Sequence, residues 1–132
     1  MPLRPTHQCY NDALELICEW IRLEPDLPYE NPPTVWLVHG ICTDSEKGFP
    51  YAHAWVERDG MTYTGALDEN GIRVYVEVPR EQYIKIFGVT EANAYSIKRA
   101  WEENKKHGHY GPWTPEHIAL TAKGLRERGL IK

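Results

Sequence analysis

Apolar residues recur along this chain in two different rhythms. Ala13, Leu14, Ile17, Cys18 and Ile21 fall at helical spacing, so residues 9–22 read as a helix with one apolar face. The stretch 24–33 carries Pro25, Pro28, Pro32 and Pro33, which neither continue a helix nor enter a sheet centre, so it reads as an extended connector. Thr34 to Ile41 is near-continuously apolar and β-branched between breakers, the mark of a buried strand. Cys42 to Pro50 is polar and reads as a loop. Tyr51 to Glu57 is a second strand, Arg58-Asp59-Gly60 a turn, and Met61 to Leu67 a third strand. After the turn Asp68-Glu69-Asn70-Gly71, Ile72 to Val78 alternates apolar and polar residues, as a half-exposed strand does.

The remainder has a helical rhythm. Pro79 to Phe87 suggests a short helix after a proline start. Thr90-Glu91-Ala92-Asn93 suggests the start of another, with Ala94, Ile97, Ala100 and Trp101 on its apolar face and Gly108 ending it. Thr114-Pro115 caps a last helix that reaches about Arg128 and stops before Gly129. Separate runs of strands and helices predict an α+β fold: an N-terminal helix on an antiparallel sheet of about four strands, then C-terminal helices over about 80–132. At 132 residues, positions 1–132 form one domain.

Composition narrows the function classes. The net charge of −4 gives no electrostatic footprint for nucleic acid. No apolar run approaches the length of a membrane span, and the first residues lack the apolar core of a signal peptide. Three cysteines, an odd and sparse number, argue against a disulfide framework and for a reducing, cytoplasmic setting. His107, His109 and His117 lack zinc-site spacing, and no phosphate-binding or dinucleotide glycine pattern occurs, so neither a metal nor any other cofactor is expected.

Of the cysteines, Cys18 falls on the apolar helix face and reads as core, while Cys42 begins a loop with no evident base nearby. Cys9 opens the first helix, where unpaired N–H groups and the helix dipole favour a thiolate and can hold an oxyanion. A nucleophilic thiol needs a base, most often histidine. His53, near the start of the second strand, is the candidate. Trp55 shares its strand face and is a candidate wall of a substrate groove, with core packing the competing reading. Glu57 lies four residues on, about 13 Å along a strand, too far to assist.

These residues also carry a resemblance. Gln8-Cys9-Tyr10 at a helix start, the strand Val35-Trp36-Leu37-Val38-His39-Gly40, and His53-Ala54-Trp55-Val56-Glu57 resemble the papain-like fold in its transglutaminase-like branch, over residues 8–70. The segment from 79 onward, notably Gly108-His109-Tyr110-Gly111-Pro112-Trp113, is similar to the tails of small phage and bacterial proteins of that branch. The resemblance implies a cysteine-dependent acyl-transfer or amide-hydrolysing enzyme acting on a peptide or protein amide. Cys9 would be its nucleophile and His53 its base, with the N–H of Cys9 together with Gln8 at the oxyanion. A binding or accessory module of the same fold, without turnover, is the alternative.

The family's acid would fall near Thr64-Gly65, where this chain has none; Asp68 is the nearest downstream carboxylate. Strand register bears on it. A two-residue turn at Asp59-Gly60 pairs Arg58 with Met61 and sets Thr64, Ala66 and Asp68 on the face of His53, with Asp68 a diagonal neighbour about 7–8 Å away. A three-residue loop turns Asp68 to the other face. The two-residue turn is the expectation, and Thr64 could orient His53 in place of an acid.

Overall fold

The computed structural model describes residues 3, 6, 8–43, 48 and 50–127, the last four of them by backbone alone. Helix α1, Cys9–Leu23, is followed by a 3-10 turn at Leu27–Tyr29. Then come strands β1 (Val35–Thr43), β2 (Pro50–Arg58), β3 (Met61–Leu67) and β4 (Arg73–Pro79), helix α2 (Arg80–Phe87), strand β5 (Glu91–Ser96), and helices α3 (Ile97–His107) and α4 (Pro115–Glu127). The predicted end of α4 near Arg128, its stop at Gly129, and most of the loop predicted between Cys42 and Pro50 lie outside the described residues. No helix among the described residues is long and apolar enough to cross a membrane.

The fold is α+β, as the segregated rhythms predict, but the sheet has five strands, all antiparallel, in the order β4-β3-β2-β1-β5. The extra strand corrects the reading of Thr90 to Asn93 as a helix start. Those residues run beside β1, with Ile41 paired to Glu91 and Trp36 to Ser96. The α3 helix begins only at Ile97, where Ser96 Oγ accepts the N–H of Arg99 at 3.2 Å. The reason is tertiary: β1 is buried along nearly its whole length, and its outer backbone groups need a partner that no local cap supplies.

Each face of the sheet has its own cover. On one, Ala13, Leu14 and Ile17 of α1 pack against Val35, Leu37, Ala54 and Val56, with Ile97, Ala100 and Trp113 completing the cluster. On the other, Tyr83 of α2 packs against Val38, Cys42 and Trp55, with Phe87 alongside. Even positions of β2 therefore face α1 and odd positions face α2. The β2–β3 hairpin pairs Arg58 with Met61, which is the two-residue turn. Asp59 at φ 51° and Gly60 at φ 77° supply the two positive angles that such a turn requires.

Candidate functional site at the seam between two strands

The two halves of the sheet are unevenly joined. β1 pairs with β2 along nine residues and β3 with β4 along seven. Between β2 and β3 only the three pairs next to the turn form, ending at Val56–Tyr63. Beyond them the strands part, and Ala54 lies two residues into the resulting seam.

The start of α1 is directed at this seam. Cys9 is the first helical residue and packs against the cluster that contains Ala54. The backbone N–H groups of Ala54, Tyr10 and Cys9 itself act on its sulfur, each favouring the thiolate. Burial outweighs them. Desolvation, helped by the negative charge of Asp12, pushes the thiol up to about 11. This overturns the expectation of a lowered pKa at a helix start: three dipoles do not repay the loss of water around a sulfur anion. The N–H of Gln8 donates to Thr6 Oγ1 at 3.1 Å and the side chain is exposed, so the amides at the sulfur are those of Cys9, Tyr10 and Ala54, not Gln8.

His53 belongs to the opposite face. Its ring stacks over Phe87 with centroids 6.2 Å apart and planes 20° apart, with Tyr51 at 6.0 Å and Trp55 at 6.1 Å. Its Nε2 lies 3.4 Å from Thr64 Oγ1. His53 and Thr64 are thus brought together, as the two-residue turn implies. Cys9 approaches β2 from the α1 side, reaching the amide of the residue that follows His53. The Cys9 thiol is nevertheless felt electrostatically by Tyr83 and Cys42 of the α2 face.

Asp68 stands elsewhere. Its Oδ1 accepts the N–H groups of Asn70 and Ile72, each at 2.9 Å, closing the β3–β4 turn. The neighbour of His53 on β3 is Thr64, so the acid expected at Asp68 is a turn-closing residue. Trp55, the candidate groove wall, is 1% exposed beneath α2 and donates its Nε1–H to Glu57 Oε1 at 3.1 Å; it is core and offers no surface to a substrate. Cys18 is exposed, not core, and Cys42 is buried with its thiol pushed up to about 12 by desolvation.

Sequence reasoning passed over Asp12. It lies on α1 one turn beyond Cys9, is 1% exposed, accepts from the Thr6 hydroxyl, and is 3.2 Å from Arg73 Nη1. Tyr75 donates its hydroxyl to the Asp12 carbonyl at 2.8 Å. An aspartate beside the apolar stripe of a helix, between Tyr10 and Ala13, was the available signal. Among the described residues no group of three or more His, Cys, Asp or Glu is placed to hold a metal ion. A cleft of about 380 Å³ between the 27–35 segment and the start of α3 is walled by Leu27, Tyr29, Pro33 and Lys98, and neither Cys9 nor His53 lines it.

Comparison with known families, curated proteins and solved structures gives no match.

Proposed function

We propose that the seam is the reaction centre of a small cysteine-dependent enzyme of the papain-like, transglutaminase-like kind, catalysing acyl transfer or amide hydrolysis. The observation that carries this reading is the set of backbone N–H groups from Cys9, Tyr10 and Ala54 around the Cys9 sulfur. Such donors stabilise negative charge as it develops on a sulfur or a carbonyl oxygen beside it.

Cys9 Sγ attacks the carbonyl carbon of a peptide or protein amide while His53 takes the thiol proton. The carbonyl π pair moves to oxygen and is held by the amides. The intermediate collapses, the C–N bond breaks, and His53 returns the proton to the leaving amine. The thioester left on Cys9 passes its acyl group to water or to an amine. Because the resting thiol is neutral, proton removal accompanies the attack, and the His53 imidazole has to swing toward the sulfur when substrate opens the seam.

The test is covalent. Incubation with an activated acyl ester should leave an acyl adduct on Cys9 by mass spectrometry, lost in Cys9→Ala and strongly slowed in His53→Asn. The second reading, a binding module without turnover, is favoured by the desolvated thiol and by the commitment of Asp68 to its turn. A folded chain that forms no adduct at Cys9 would select it.

A further inference from the structure

The deepest phenol on the α2 face is one that packing alone does not require. Tyr83 is 0% exposed, with its ring 5.0 Å from Trp55 and 4.5 Å from Phe87. A phenylalanine would fill the same space. The Tyr83 hydroxyl is buried with no hydrogen bond of ordinary distance and angle, an arrangement that native interiors rarely leave without use. The Thr64 hydroxyl is close enough to act on it. Thr64 Oγ1 in turn lies 3.4 Å from His53 Nε2. Phenol, alcohol and imidazole are therefore successive neighbours from the interior of the α2 face to the candidate base.

We infer that Tyr83 is a positioning residue for His53, acting through Thr64 in the place that the family gives to an acid. The direction of the hydrogen bonds decides the chemistry. If His53 Nε2–H donates to Thr64 Oγ1 and the Thr64 O–H donates to Tyr83 Oη, the proton stays on Nε2 and Nδ1 is the basic nitrogen. A hydroxyl that donates onward is a better acceptor, so the phenol strengthens the hold of Thr64 on the Nε2 proton. Without the phenol oxygen, the Thr64 hydrogen turns to Nε2, and the imidazole is held as the Nδ1–H tautomer, the wrong one for a base.

The inference rests on the proposed reaction only for what the tautomer is used for; the tautomer itself is visible without turnover. In the full chain labelled with ¹⁵N-histidine, the His53 ring resonances at pH 8 should report the Nε2–H form. Tyr83→Phe should move them toward Nδ1–H, Thr64→Ser should keep the native pattern, and adding Thr64→Val to Tyr83→Phe should remove the shift, because valine has no hydroxyl to donate to Nε2. Acylation of Cys9 should slow on the order of tenfold in Tyr83→Phe, a fraction of what general base catalysis contributes. Should Tyr83→Phe fail to fold, 3-fluorotyrosine placed at position 83 alone weakens the phenol as an acceptor and should shift the same resonances part of the way. An unchanged tautomer in the folded variant, or in the fluorinated chain, overturns the inference. A shifted tautomer in a protein that never acylates Cys9 upholds the relay and sinks the enzyme reading instead.

Discussion

The carboxylate of Asp12 occupies the space that a side chain at position 65 would need. A Cβ added to Gly65 would lie 2.7 Å from Asp12 Oδ2 and 2.9 Å from the Asp12 Cβ, so rotating the carboxylate away does not relieve the clash. This contact and that of Trp20 with Tyr63 hold α1 against β3. Gly65→Ala should therefore destabilise the fold by about 1–3 kcal/mol, as overpacking of a filled interior does. Urea unfolding of the two chains measures it; equal midpoints would show that α1 and β3 are less tightly opposed.

Alkylation should rank the three thiols in the order of their surroundings. Cys18 is exposed, whereas Cys9 and Cys42 are held at about 11 and about 12. At pH 8 only about one Cys9 in a thousand is a thiolate, and the thiolate is the nucleophile. Iodoacetamide should therefore label Cys18 first, then Cys9, then Cys42. Asp12→Asn removes a negative charge that opposes the Cys9 thiolate and should speed Cys9 labelling while weakening the tie to Arg73. Cys9 labelling faster than Cys18 in the native chain would contradict this ranking.

Stability should fall as the solution is acidified below about pH 6.5. His39 is 1% exposed among Tyr10, Tyr95 and Trp113, and desolvation holds its imidazole down at about 3. The folded chain keeps His39 neutral where the unfolded chain protonates it, so the unfolded state binds more protons between these values. The native state thus loses stability from about pH 6.5 down to about pH 3, by at most about 4–5 kcal/mol for a shift of this size. His39→Phe should flatten that slope in thermal melts run across the range. A slope unchanged by the substitution would place the acid sensitivity in another group.

Thr64→Asp places a carboxylate beside His53 Nε2, where the resemblance expects one. An opposite charge at that distance raises an imidazole pKa by about 1–3 units. NMR titration of His53 should show the rise, and acylation of Cys9 should quicken. A pKa left where it was would mean that position 64 does not control the imidazole.

Much of this was legible along the chain. Helix α1, four of the five strands and the order of helices after them follow from periodicity, because one apolar face dictates one rhythm. The Asp59-Gly60 turn was legible because only a few residues accept the positive φ values that a two-residue hairpin imposes, and with it came the meeting of His53 and Thr64. Asp68 was misread as an acid because a carboxylate two residues before an amide closes a turn as readily as it orients an imidazole, and spacing alone does not choose between them.

By itself the sequence determined the α+β architecture and the position of Cys9 at a helix start, and it narrowed the central hairpin to two registers, all of them consequences of local pattern and backbone sterics. Only the tertiary structure decided the rest. It made residues 91–96 a strand, because the buried β1 needed a partner. It opened the seam beside Ala54, because β2 and β3 part after three pairs. It put His53 under α2 and Cys9 on the opposite, α1 side of the sheet, and it raised the Cys9 thiol, because desolvation depends on what packs around a sulfur and not on which residues precede it.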